Sequence, residues 1–159
     1  MHEACFSDVW NSNYFRSFIT NMQCFGFIIS DERKTLSDEI SLAKTEKNAA
    51  PHECINNEWL DCGFVLCHRI SPEEADLLKI CVLPAYRRRG IGKILLEEAK
   101  KYAKNNGIKK ILLEVAVNNP SAIYFYERFG FQKIAQRKGY YKINQTTVDA
   151  NVMANESFI

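Results

Sequence analysis

The chain has 159 residues, 47% of them hydrophobic and 25% charged, with 21 Lys and Arg against 19 Asp and Glu and a formal net charge of +2. One domain, residues 1–159, is the expectation at that length, burying about 70% of its unfolded surface, and so small an excess of charge gives no reason to invoke nucleic acid or a membrane surface. No apolar run approaches about eighteen residues, which argues against a spanning helix. Met1-His2-Glu3-Ala4-Cys5-Phe6 shows no basic-then-apolar leader, and cysteines 5, 24, 54, 62, 67 and 81 form no Cys-x-x-Cys pair. The reading is a cytoplasmic protein with reduced thiols, no thiol metal site and no metal.

Phe6, Val9 and Trp10 predict a short helix, and Tyr14, Phe15, Phe18 and Ile19 a second one. Residues 24–29 are aromatic and β-branched and read as a strand. The stretch 30–57 turns polar: 35–47 reads as a loosely amphipathic helix, 48–57 as loop, and the whole as a variable insert, expected to be mobile. Strands follow at 60–70 and 74–83, with Ser71-Pro72-Glu73 as the turn between them. Ile91, Leu95, Ala99, Tyr102 and Ala103 then draw one apolar helical face, which Asn105-Asn106-Gly107 stops. Residues 110–117 read as a strand and Asn119-Pro120-Ser121 as a helix start, with Phe129-Gly130 ending that helix. Two final strands, 131–136 and 148–153, flank a turn region. Strands around a βαβα core predict an α/β (α+β) sheet domain.

Two stretches carry chemistry. The first is Leu83-Pro84-Ala85-Tyr86-Arg87-Arg88-Arg89-Gly90-Ile91-Gly92-Lys93, which joins a strand to a helix start. Backbone N–H groups there lack intrahelical partners and the helix dipole favours negative charge. Gly90 and Gly92 let an anion approach the backbone closely. A nucleotide-triphosphate loop fails because Ile94 follows Gly92-Lys93, and the dinucleotide fingerprint lacks its third glycine. What remains is Gln/Arg-x-x-Gly-x-Gly/Ala, met by Arg87, Gly90 and Gly92; a solvated basic turn is the plainer alternative. The second stretch is Ile111-Leu112-Leu113-Glu114-Val115-Ala116-Val117. An apolar run of this kind predicts a strand buried on both faces, and a carboxylate inside it needs a partner. Glu114 is either a salt-bridged glutamate, with Lys110 as partner, or a general base tuned by partial burial. Twelve residues on from Glu114 stands Tyr126, and Tyr124 two before it. Two residues apart on a helix, the two side chains point roughly 200° apart, so one tyrosine at most serves as an acid and the other packs or lines a rim.

The loop pattern resembles the acyl-coenzyme A pyrophosphate loop of the GNAT superfamily of N-acetyltransferases. Residues 118–131 resemble that family's Asn-x-x-Ala-x-x-x-Tyr-x-x-x-Gly-Phe signature. Leu113-Glu114-Val115, Arg137-x-x-Tyr140-Tyr141, Asp149-Ala150 and the opening His2-x-x-x-Phe6-x-x-x-Trp10 are similar to the bacterial ribosomal-protein alanine N-acetyltransferases. The resemblance implies a single GNAT-like domain: a mixed, mostly antiparallel sheet flanked by helices and splayed at an acetyl-CoA site. It implies acetyl transfer from acetyl-CoA to the N-terminal α-amine of a protein such as a ribosomal protein. It implies that backbone groups of Ile80, Cys81 and Val82 take the pantetheine arm, that Arg88, Arg89, Gly90, Ile91, Gly92 and Lys93 hold the pyrophosphate, and that Asn119 touches the cofactor. Glu114 matches the proton acceptor and Tyr126 the proton donor, while Tyr140 and Tyr141 line the peptide side. The implied molecule is a monomer or weak dimer without direct nucleic acid or membrane contact. Two departures stand out: the family's first strand is missing ahead of the first helix, and Ala116 stands where relatives often carry Arg. The alternatives are a GNAT enzyme acting on a lysine, polyamine or small-molecule amine, or a catalytically silent coenzyme A-binding module.

Overall fold

The computed structural model describes residues 23–32, 40–44, 59–143 and 146–156. The two helices expected before residue 20, the expected lack of a strand ahead of them and the expected loop 48–57 fall outside those residues. In chain order the described elements are β1 (Cys24–Glu32), β2 (Ile40–Lys44), β3 (Trp59–Arg69), β4 (Glu74–Val82), a 3-10 turn (Pro84–Tyr86), α1 (Ile91–Asn105), β5 (Lys110–Ala116), α2 (Pro120–Arg128), β6 (Gln132–Ile143) and β7 (Thr146–Asn155). No described helix is long and apolar enough to cross a membrane. The described residues fall into two compact units: one holds those up to His68 with Lys79–Lys100, the other Arg69–Leu78 with those from Lys101 on.

In the first unit the strands run β2-β1-β3 and on to the C-terminal part of β4. β1 pairs antiparallel with β2, from Phe27↔Lys44 to Asp31↔Ile40, and antiparallel with β3, from Cys24↔His68 to Glu32↔Trp59. Residues 40–44 were expected in a helix and are a strand instead. Helix propensity is a weak prior, and pairing with the open edge of β1 overrides it here. Residues 62–67 of β3 are all buried, the mark of a strand covered on both faces. Gly63 shows how closely it is covered: a Cβ there would meet the Cys81 carbonyl oxygen at 2.6 Å and Ile91 and Leu95 at 3.3 Å. The buried residues Ile91, Leu95 and Ala99 recur every fourth position, as the apolar face of α1 requires.

The second unit runs β4-β5-β7-β6 from the N-terminal part of β4. β4 and β5 are parallel at Glu74↔Lys110, Ala75↔Ile111 and Asp76↔Leu112, the arrangement a strand–helix–strand crossover produces. β5 with β7, and β7 with β6, are antiparallel. The helix stop at Gly107 is as expected: its φ is +77°, and the Ile108 N–H donates to the Ala103 carbonyl at 2.9 Å. β5 was expected to be buried on both faces, but Ile111, Leu113 and Val115 are buried while Leu112, Glu114 and Ala116 are half-buried. One face is core and the other meets polar groups, which is what lets a carboxylate sit in the run. β6 and β7 exceed the expected 131–136 and 148–153. The stretch between them was expected as a turn region, but Gly139 within it belongs to a bulge inside β6. Among the described cysteines, Cys24, Cys62 and Cys67 form no disulfide, but Cys81 is disulfide-bonded, so the expectation of reduced thiols fails there.

Candidate active site

The loop between β4 and α1 lies in the first unit. The 3-10 turn opens on Pro84, whose fixed φ suits that position. The Tyr86 N–H donates to the Leu83 carbonyl at 2.9 Å, and the Tyr86 hydroxyl donates to Asp31 Oδ2 of β1 at 3.2 Å. Burial, followed by Cys62 and Asp31, pushes the Tyr86 phenol up, so it stays a donor at neutral pH. The Arg89 guanidinium lies 5.2 Å above the Tyr86 ring, a cation–π contact. The chain then bends through two left-handed residues, Arg88 at φ +63° and Gly90 at φ +81°. The Gly90 carbonyl opens α1 by accepting from the Ile94 N–H at 3.1 Å. A Cβ placed on Gly90 would find no atom within 4 Å, so the glycine serves the backbone turn and leaves open space beside the helix start. Arg88, Arg89 and Lys93 are exposed there, and the first turn carries no acidic residue.

Three details of this loop were not foreseen. Arg87 folds back so that its Nε donates to the Val82 carbonyl at 3.0 Å, capping the end of β4. Glu97 pairs with Lys93 from the next turn of α1, at 3.8 Å. The Asp31–Tyr86 bond joins residues 55 apart, a pairing no local pattern reveals.

In the second unit, side chains close a ring around Glu114. Its carboxylate is 29% exposed and accepts from Arg137 through Oε1 at 2.8 Å. Lys110, the partner expected from sequence, is held by Glu156 at 3.0 Å and Glu74 at 3.9 Å, and the Glu156 bond is the main reason its ammonium titrates above the ordinary lysine range. The Arg137 guanidinium lies 4.3 Å over the Tyr140 ring, Tyr140 meets Tyr141 edge-on at 4.9 Å, and the Tyr141 hydroxyl donates to the Glu114 carbonyl at 3.0 Å. Tyr140 and Tyr141 therefore do stand with Glu114. Arg137 belongs to the same ring, although only a sequence resemblance pointed to it.

α2 presents the two candidate tyrosines. Asn119 caps it, its Oδ1 accepting from the Ala122 N–H at 3.2 Å, and Pro120 occupies the first turn. The cap uses the amide oxygen, leaving Nδ2 as the donor a ligand could take. Tyr124 is 62% exposed whereas Tyr126 is 8% exposed and edge-on to Phe125 and Phe131. The two do point apart, as their spacing demands. The Phe129 carbonyl accepts from Asn155 Nδ2 at 2.8 Å, which ties the end of α2 to β7.

The first unit offers a glycine turn that opens a helix start after a strand, and the second a half-buried carboxylate on a strand. The chain belongs to the acetyltransferase (GNAT) family, whose model matches residues 18–131. The ribosomal protein bS18-alanine N-acetyltransferase of Salmonella typhimurium is 39% identical over 82 residues, 52% of this chain and 55% of that protein. The chain spans about half the length of the curated relatives it matches. Among solved structures, the ribosomal-protein-S18-alanine N-acetyltransferase from Escherichia coli is similar with a TM-score of 0.70 at 24% identity, covering 96% of this chain and 81% of that one. A GNAT family acetyltransferase from Elizabethkingia anophelis, solved with acetyl-CoA bound, is similar with a TM-score of 0.57 at 23% identity, covering 64% of this chain and 71% of that one. At those identities the likeness is one of fold, and the fold is the expected α/β GNAT arrangement.

Proposed function

We propose that the chain is an acetyl-CoA-dependent N-acetyltransferase that modifies the N-terminal α-amine of a protein, with a ribosomal protein as the first candidate acceptor. The observation that carries this reading is the loop before α1, with Gly90 at φ +81° beside open space. A diphosphate fits such a cradle, because backbone N–H groups and the helix dipole meet it without a side chain in the way. The family match and the relatives' names support the choice of acyl group and acceptor. The reading takes residues 1–159 as one catalytic domain, a monomer or weak dimer in the cytoplasm, with no metal required.

Bound acetyl-CoA supplies the thioester carbonyl that an amine attacks. The first turn of α1 would bind its pyrophosphate through the N–H groups of Ile91, Gly92 and Lys93, with charge added by Arg88, Arg89 and Lys93. Backbone groups of Ile80, Cys81 and Val82 would align the pantetheine arm as an added strand, and an N–H near Val82 would polarise the carbonyl oxygen. Arg87 already uses the Val82 carbonyl, so the arm takes its bonds from the neighbouring groups. Glu114 would remove the amine proton, directly or through water, and Oε2 is the oxygen that Arg137 leaves for it. Tyr126 would return a proton to the leaving sulfur. An α-amine, with a pKa near ~8, is deprotonated far more often at neutral pH than a lysine amine near ~10.4.

The test is mass spectrometry of peptides incubated with acetyl-CoA and the protein. The panel holds Ala-, Ser- and Met-initiated peptides, with N-blocked lysine peptides as controls. Acetylation of the α-amine is expected. Modification of lysine peptides alone would overturn the acceptor assignment, and acetyl-CoA binding without any transfer would make the chain a silent binding module.

A further inference from the structure

Tyr140 and Tyr141 are neighbours in a strand, and in a regular ladder neighbours face opposite ways. Here their rings touch, with centroids 4.9 Å apart. The cause is a bulge. The register of β6 against β7 passes from Arg137↔Ala150 to Tyr141↔Val148, so Lys138, Gly139 and Tyr140 all stand opposite Asp149. Gly139 takes φ +58° there, a left-handed turn that re-aims the residues beyond it. Asp149 grips this irregular stretch from across the hairpin. Its Oδ1 accepts from the Gly139 N–H at 2.8 Å and its Oδ2 from Gln136 Nε2 at 2.8 Å. Its carbonyl accepts from the Val117 N–H, just past the end of β5, at 3.0 Å. One residue thus ties the bulge to the strand that carries Glu114.

We propose that Asp149 is a positioning residue for the acceptor: it locks the β6 bulge so that Arg137, Tyr140 and Tyr141 stand as a preformed wall beside Glu114. This rests on the acetyl-transfer reading given above. The bonds to Gly139 and Gln136 involve a charged acceptor, which makes them stronger than neutral ones. They hold a backbone conformation that would otherwise sample several states. Without them the two rings and the guanidinium lose a common orientation, and the cost falls on acceptor binding, since no part of the cofactor loop is involved.

Asp149→Ala, Asp149→Asn and Gln136→Ala test this. Asn keeps an oxygen for the Gly139 N–H, and the Gln136 amide can turn to offer its own oxygen to the new NH2, giving up the exposed bond that oxygen accepts from Lys133, so both bonds to residue 149 re-form. With an α-amine peptide, Asp149→Ala is expected to raise the acceptor KM about tenfold or more, with acetyl-CoA KM within about twofold. Asp149→Asn is expected to restore most of the loss, and Gln136→Ala to give a smaller shift in the same direction. Amide hydrogen exchange supplies a readout independent of turnover: the Gly139 amide exchanges slowly in the parent and in Asp149→Asn, and faster in Asp149→Ala. If Asp149→Ala does not fold, Gln136→Ala decides, because that side chain is exposed and leaves the tie to β5 intact. An unchanged acceptor KM together with an unchanged Gly139 exchange rate would overturn the proposal. A parent protein without transferase activity overturns the acetyl-transfer reading instead, and the exchange measurement still judges the clamp.

Discussion

The loop before α1 and the bulge in β6 both leave regular structure, by opposite means. The loop does it with backbone: two left-handed residues, Arg88 and Gly90, turn the chain into a helix start and leave space where a side chain would be. What it offers is a row of N–H groups, and in the proposed reading these select for negative charge. The bulge does it with side chains: Asp149 holds Gly139 and Gln136, and the result is a specific arrangement of a guanidinium and two phenols around Glu114. Conformation alone suits a ligand part common to many enzymes. A wall of oriented side chains suits the part that distinguishes one acceptor from another.

The largest effect expected on either half comes from Glu114→Gln. It removes the proposed base and keeps the shape, so turnover should fall by about 10²–10⁴-fold with acetyl-CoA affinity nearly intact. The deficit should narrow as pH rises toward 9, where the amine loses its proton unaided. Parent-like rates from pH 6 to 9 would return Glu114 to a purely structural partner of Arg137. Next comes Tyr126→Phe, with a loss of about 10²-fold in turnover under saturating acetyl-CoA and a stability change within about 1 kcal/mol. Tyr124→Phe, on the exposed side of α2, should change turnover less; the reverse order would transfer the acid role to Tyr124.

Gly90→Val sharpens the comparison from the loop side. The left-handed turn strains a β-branched residue by roughly 1–2 kcal/mol, and its side chain would enter the open space. Acetyl-CoA affinity by calorimetry should fall about tenfold or more, with the Gly139 amide as protected as in the parent. Unchanged affinity in a folded variant would sink the cradle. The smallest effect concerns pH. The Gly139 N–H, then Gln136, hold the Asp149 carboxyl below the ordinary carboxylate range, with Lys138 adding to them. A depressed pKa means that the stabilising contribution is fully present above the unfolded value, near ~3.9, and is lost as pH falls through the folded value. Parent and Asp149→Asn should therefore show the same shape of pH–rate profile from pH 6 to 9. A divergence in that window would mean that Asp149 titrates there and that its hydrogen bonds do not hold it ionised.

Legibility in the sequence followed the range of the interactions. α1 and α2, with their stops at Gly107 and Gly130, could be read because caps, Pro120 and the apolar face at every fourth residue are local. The glycine turn before α1 was legible for the same reason. β2 was not, since only the neighbouring edge of β1 makes residues 40–44 a strand. The partner of Glu114 was misread because Lys110 is near in sequence while Arg137 reaches it only through the β6–β7 hairpin. The bulge lies in the stretch read as a turn region, because a glycine suits either and only the cross-strand register tells them apart.

The strand order of the second unit bears on how the molecule is made. β7 is the last of the described strands in sequence, yet it lies between β5 and β6. Until it emerges from the ribosome, β5 and β6 each present an unpaired edge, and the apolar side chains of Ile111, Leu113 and Val115 go without a complete cover. Such edges invite pairing with other chains. The second unit should therefore complete its fold only after synthesis of β7, and a chain stopped at Lys142 should aggregate or be bound by chaperones however well its first 142 residues are encoded.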